Sequence, residues 1–283
     1  MDYTTPARLL EELDTAAKKK AGLSVRSMLL TGFLSGALLA FATAFSFRVS
    51  NELPEALTAL VSGLVFPVGF AMIVLLGTEL ATGNFAVLPF GVARGKVTVG
   101  KTLRNWTWVY CGNFFGSVFV GALLAVALTE AFMQSPGLLG ARIIKVAESK
   151  TVFYEHAGAH GWVTALVKGV LCNWMVTLGS ILGLSSSSST GKIVSIWLPI
   201  SIFFALALEH SVVNMFIMPT AMILGAQISV SEWLWWNQLP VTLGNILGGA
   251  VLTGLLLHYS QSGTSAAALQ RPAKVAPPES ELP

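Results

Sequence analysis

The residues most able to do chemistry lie together in Ala207-Leu208-Glu209-His210-Ser211-Val212-Val213-Asn214-Met215, four polar or ionisable side chains inside an apolar run. Upstream, Ile193 to Leu208 reads IVSIWLPISIFFALAL, and downstream Met215 to Leu224 reads MFIMPTAMIL, so Glu209 and His210 fall near the middle of a segment of membrane length. An ionisable side chain in hydrocarbon costs at least ~2.5 to 3.5 kcal/mol. Two adjacent ones facing lipid would not be tolerated. A helix interrupted here, with its freed backbone groups and side chains turned into a protein-lined cavity, is the cheaper arrangement. In such a cavity an imidazole suits a small anion, because it donates a hydrogen bond when neutral and exchanges a proton near physiological pH. The plainer alternative is a buried structural histidine. A second stretch of this kind, Gly77-Thr78-Glu79-Leu80-Ala81-Thr82-Gly83-Asn84, sets another glutamate at membrane depth. Thr82 there offers a hydroxyl donor or a helix-end cap. Glu79 and Glu209 would repel an anion they faced, so the task expected of them is to hold amides and polar side chains in place.

The elements that carry these stretches follow from composition. The 283 residues are 54% hydrophobic and 11% charged, with a mean hydropathy of +0.70, against about 25% charged in soluble domains. This composition implies an all-α membrane protein. The net charge of +3 does not argue for nucleic acid, since the basic residues lie beside the apolar spans. Cys111 and Cys172 sit in apolar stretches and read as small hydrophobes. No metal-ligand spacing is present, and no cofactor is expected.

Residues 1–23 place Leu9, Leu10, Leu13, Ala16 and Ala17 at helical spacing against charged neighbours, which predicts an amphipathic helix on the cytoplasmic surface. The channel domain is expected over 24–260. Its spans are Met28 to Phe47, a broken second from Leu57 to about Phe90, Trp106 to Leu128, Trp162 to Leu184, the broken fifth, and Leu239 to Tyr259, with a long polar connection from span three to about Gly161. Residues 261–283, rich in Ala, Pro, Ser and Glu, read as a disordered cytoplasmic tail. Twelve Lys and Arg fall on one side of these spans and four on the other. The positive-inside rule then puts both termini in the cytoplasm of a multi-pass protein of the cell inner membrane. An internal repeat supports the breaks. Asn84 follows Glu79 as Asn214 follows Glu209, and Gly112-Asn113-x-x-Gly116 matches Gly244-Asn245-x-x-Gly248. Two halves of three spans each must run in opposite orientations, with a pore between the broken helices. The glycine faces of spans three and six are candidates for close helix packing and for a subunit contact.

Several motifs together resemble the formate/nitrite transporter family of anion channels. They are Gly77-Thr78-Glu79-Leu80 with Thr82, Lys168-Gly169-Val170-Leu171-Cys172-Asn173-Trp174, Glu209-His210-Ser211 with Asn214-Met215, and Asn237-x-x-Pro240-Val241-Thr242-x-Gly244-Asn245. The resemblance covers roughly Ser24 to Tyr259. It implies an aquaporin-like protomer assembled as a homopentamer in the lipid bilayer, with a small anion and protons as partners. Carried over residue by residue, His210 is the central pore histidine and Thr82 its partner. Glu209, Asn173 and Asn214 form the polar network that orients them, Glu79 is counted with them among the pore residues, and Phe66, Phe70 and Phe203 form apolar constrictions. The family usually has a pore-facing lysine near the start of span four. Motif context points to Lys150 for that vestibule role, while spacing points to Glu155-His156-Ala157. Lys168 is expected at a lipid or subunit interface. Crossing apolar rings is easier for a neutral acid than for its anion, so passage is expected to be protonation-assisted, with His210, or a proton passed through it, as donor. Formate is the expected substrate, ahead of nitrite, hydrosulfide, acetate or lactate. Two other classes compete. A water or glycerol facilitator would carry Asn-Pro-Ala at both half-helix ends, and the tripeptide is absent. A membrane enzyme would need a nucleophile or metal constellation beside the Glu-His pair, and none accompanies it.

Overall fold

An apolar run too long for one crossing must bend, break or turn back, and this chain does all three. The computed structural model describes residues 3–261, so apart from Gln261 the expected tail lies outside the described residues. The helices are α1 Pro6–Ala21, α2 Val25–Val49, α3 Glu55–Val65, α4 Pro67–Leu76, α5 Ala81–Ala93, α6 Val99–Leu128, α7 Gly137–Ser149, α8 Val152–His156, α9 Ala159–Leu182, α10 Ser189–Ala205 and α11 Ser211–Ile223. A last helix runs Val230–Gln261, with π-helical turns at Trp233–Gln238 and Ala250–Leu255. Among the described residues the one β feature is an isolated bridge between Tyr3 and Ser186. Among the described residues five helices are long and apolar enough to cross a membrane, α3 and α4 counting as one. α5, α10 and α11 are shorter apolar helices.

Pro67 opens α4, where its missing N–H divides α3 from α4 without ending the crossing. The long polar connection after span three is mostly helical, built of α7 and α8. Leu139, Gly140, Ile143 and Ala147 recur at helical spacing on the buried side of α7, a short stripe hidden among charges. The last helix starts well before Leu239. Ser229 Oγ accepts from the Glu232 N–H at 3.2 Å and Glu232 Oε2 accepts from the Ser229 N–H at 2.6 Å, a capping box that fixes its first turn.

The glycine faces are used inside the protomer. A methyl on Gly116 would collide with the Phe33 carbonyl of α2, and one on Gly248 with the Val170 carbonyl of α9. These glycines therefore let α2 lie against α6 and α9 against the last helix, and they are not free to make a subunit contact. α1 is likewise seated on protein. Its Leu10, Leu13, Ala17 and Ala21 are buried against Val87, Leu88, Phe90 and Val97. Asp14 pairs with Arg94 at 2.8 Å, and Thr4 N donates to Ser185 O at 2.8 Å.

Candidate functional site

The two breaks share one construction. α4 ends at Gly77 with φ +64°, and α10 is followed by Ala207 with φ +50°. In each the next amide reaches back five residues, Thr78 N to Ile73 O and Leu208 N to Phe203 O, both at 3.1 Å. The left-handed conformation is free for glycine and costs alanine about 1–2 kcal/mol. The chain then crosses a short extended stretch and re-enters a helix, α5 at Ala81 and α11 at Ser211.

One asparagine from a neighbouring helix locks each restart. Asn113 Oδ1 accepts from Ala81 N at 2.9 Å, while its Nδ2 donates to Gly32 O at 2.8 Å and Glu79 O at 3.0 Å. Asn245 Oδ1 accepts from Ser211 N at 2.9 Å, while its Nδ2 donates to Gly169 O at 2.8 Å and Glu209 O at 2.9 Å. The glutamates match as well. Lys20 Nζ lies 2.9 Å from Glu79 Oε1 and Asn84 Nδ2 donates to Oε2 at 2.7 Å. Lys150 Nζ lies 2.9 Å from Glu209 Oε2 and Asn214 Nδ2 donates to the same oxygen at 2.8 Å. Asn105 Nδ2 donates to Lys20 O, and Asn237 Nδ2 to Lys150 O. The sequence offsets agree: Lys150, Glu209 and Asn214 lie 130 residues after Lys20, Glu79 and Asn84, and Asn237 and Asn245 lie 132 after Asn105 and Asn113.

Where the halves differ, the chemistry appears. The residue before α5 is Leu80 and makes no side-chain cap, whereas the residue before α11 is His210, whose Nδ1 accepts from Val213 N at 3.2 Å. A ring nitrogen accepting from an amide carries no proton, so in neutral His210 the proton is on Nε2. That Nε2 lies 3.0 Å from Thr82 Oγ1, and both residues are buried. Thr82 is not the cap of α5; its hydroxyl faces the histidine. Asn173 Nδ2 donates to Thr82 O at 3.1 Å and Asn245 O at 2.6 Å, and its buried Oδ1 accepts nothing among the described residues. Each glutamate is paired with a lysine, so no net charge opposes the dipoles of α5 and α11. Their N-termini meet at Thr82 and His210 and present positive potential to a small anion.

Apolar rings adjoin this point. The Phe203 ring stacks on His210 at 5.7 Å and 23°, and Phe66 meets Phe203 edge-on at 5.5 Å. Phe70 instead lines a cavity of about 210 Å³ with Leu80, Thr78, Glu79, Asn84 and Lys20, under the end of α1. Of the expected residues, the structure thus joins His210, Thr82, Asn173 and Phe203 in one cluster, and Glu209, Asn214 and Lys150 in another beside it. Glu79 belongs to the cavity beneath α1. Glu155 and Ala157 are half-buried and His156 is exposed. Lys168 lies with Nζ 5.9 Å over the Tyr154 ring. Sequence reasoning missed Lys20, Asn105 and Tyr154. The 130-residue offset would have found Lys20, and the 132-residue offset Asn105. Tyr154 breaks the repeat: its hydroxyl donates to Glu209 Oε1 at 2.8 Å, with no tyrosine at the matching place in the first half. Among the described residues no group of His, Cys, Asp and Glu could hold a metal ion.

The family model for the formate/nitrite transporter matches residues 7–259. A protein of Methanothermobacter thermautotrophicus described as "Probable formate transporter" is 35% identical over 270 residues, 91% of this chain and 97% of that relative. Two solved structures share the fold. An "FNT family ion channel" has a TM-score of 0.76 at 25% identity over 89% of this chain and 98% of its own. A "Pentameric formate channel with formate bound" has a TM-score of 0.69 at 27% identity over 87% of this chain and 98% of its own. The paired breaks, the match across nearly the whole chain and the shared fold agree: the chain belongs to the formate/nitrite transporter family of membrane transport channels.

Proposed function

We propose that this protein conducts formate through a pore in each protomer of a homopentamer, in the inner membrane, with α1 and both termini on the cytoplasmic side. Formate is favoured among small anions because it is named in the descriptions of a relative and of a solved channel that this chain resembles. The observation that carries the reading is the fixed tautomer of His210. With Nδ1 held by the Val213 amide, Nε2–H is the donor at the meeting point of two helix N-termini, beside Thr82.

The same geometry divides the labour. Passing a proton through the ring would require a proton on Nδ1, which would break the α11 cap. His210 therefore supplies a hydrogen bond, and the anion takes its proton from water in the vestibules before it meets Phe203 and Phe66. Lys20 and Lys150 draw the anion to the two mouths, and their pairing with Glu79 and Glu209 keeps the resting pore neutral. Uptake of labelled formate by proteoliposomes tests this: uptake no faster than in protein-free vesicles, or equal acceleration of glycerol, would end the reading.

A further inference from the structure

The two lysine–glutamate pairs are not equally held. Glu79 has one donor on each oxygen, Lys20 on Oε1 and Asn84 on Oε2. Glu209 has Tyr154 on Oε1, and Lys150, Asn214 and, at 3.3 Å, Asn237 on Oε2. If Lys20 leaves, Glu79 Oε1 loses its donor, which is costly for a buried carboxylate. If Lys150 leaves, both oxygens of Glu209 remain bonded.

Tyr154 reaches Glu209 because α8 folds back on α9. A side chain on Gly161 would collide with the Tyr154 backbone, and Tyr154 packs among Ala165, Val241 and Trp236. The phenol is 2% exposed. Burial, reinforced by the Glu209 charge, pushes it well above the usual tyrosine range, so it stays a donor.

From this geometry we infer that Tyr154 is a positioning residue which frees Lys150 to turn its ammonium to an entering anion, making the α7–α8 mouth the higher-affinity one. The inference rests on the anion-channel reading above. Lys150 exchanges a carboxylate for the solute, and Tyr154 with Asn214 and Asn237 keeps Glu209 charged and satisfied during the exchange. In the Tyr154→Phe protein, Glu209 would keep Lys150 as its counter-charge but have no donor on Oε1, and Lys150 would be released less readily.

The test is zero-trans formate influx into proteoliposomes of known protein orientation, measured for wild type, Tyr154→Phe, Lys150→Ala and the double variant. Tyr154→Phe should raise KM about tenfold at the α7–α8 mouth, the scale of one charge-assisted hydrogen bond, with a smaller fall in saturating flux. In the Lys150→Ala background it should change KM no further. Equal KM in wild type and Tyr154→Phe, or effects that multiply in the double variant, would overturn the inference while leaving the channel reading intact. A wild-type protein that carries no formate would sink both. Should Tyr154→Phe not assemble, 3-fluorotyrosine at position 154 keeps the shape and strengthens the donor: it should lower KM, and an unchanged or higher KM refutes the inference.

Discussion

His210→Asn removes the ring while keeping a cap, so its consequences can be worked from the structure. Asparagine is a favoured N-cap, and its Oδ1 can take the Val213 N–H that Nδ1 now accepts, an exchange costing under about 1 kcal/mol. The variant loses the 3.0 Å bond to Thr82, about 0.5–1.5 kcal/mol, and the stack on Phe203, about 0.5–1.5 kcal/mol. A total of about 1–4 kcal/mol should leave the protein folded and assembled, which thermal unfolding and mass measurement in mild detergent check. Transport falls too. The solute meets the ring as the neutral acid, to which a donor contributes about 0.5–1.5 kcal/mol, so formate flux should fall about 2- to 12-fold. The variant's flux should still rise with falling pH between about 8 and about 5 as in wild type, since the solute, not the ring, takes up the proton. Unchanged flux would remove His210 from the mechanism, and a flattened pH response would show that the ring carries the proton.

Asn113→Ala and Asn245→Ala each strand three buried hydrogen-bonding groups. Each should cost about 3 kcal/mol or more, by similar amounts, in denaturant titrations; a fivefold disparity would contradict the structural equivalence of the halves. Ala207→Gly relieves a left-handed alanine and should stabilise by about 0.5–1 kcal/mol after the added freedom of the unfolded chain is subtracted; a lowered melting temperature would show that the φ is not strained. Lys150→Ala should reduce flux most at low salt, where charge is least screened, whereas His156→Ala should be nearly silent. Wild-type flux for Lys150→Ala at low salt would refute the role given to that lysine.

Much of this was legible in the chain. Charges at membrane depth forced both breaks, and the recurrence of Glu, Asn and Gly-Asn at matched spacing paired them. Periodicity could not show which partner a buried polar group takes. Lys20 looked like one of three lysines ending an amphipathic helix, yet it reaches Glu79 because α1 seats over the end of α5. Tyr154 was hidden because its contact with Glu209 depends on the fold-back at Gly161. The glycine faces were visible as close-packing surfaces, but sequence does not say against which helix. The start of the last helix was written in Ser229-x-x-Glu232 and was masked by the aromatic run after it.

The central claim, that formate crosses as an acid assembled at the pore mouths, is tested most directly by a gradient experiment. Proteoliposomes at equal formate inside and out are given a pH step, acid outside and alkaline within, at zero membrane voltage. In a second arm they are given a voltage with no pH step. Formate should accumulate in the alkaline lumen, faster than in protein-free vesicles, and should ignore the voltage. Accumulation that follows the voltage and is indifferent to the pH step would show that the bare anion crosses, and would contradict the account.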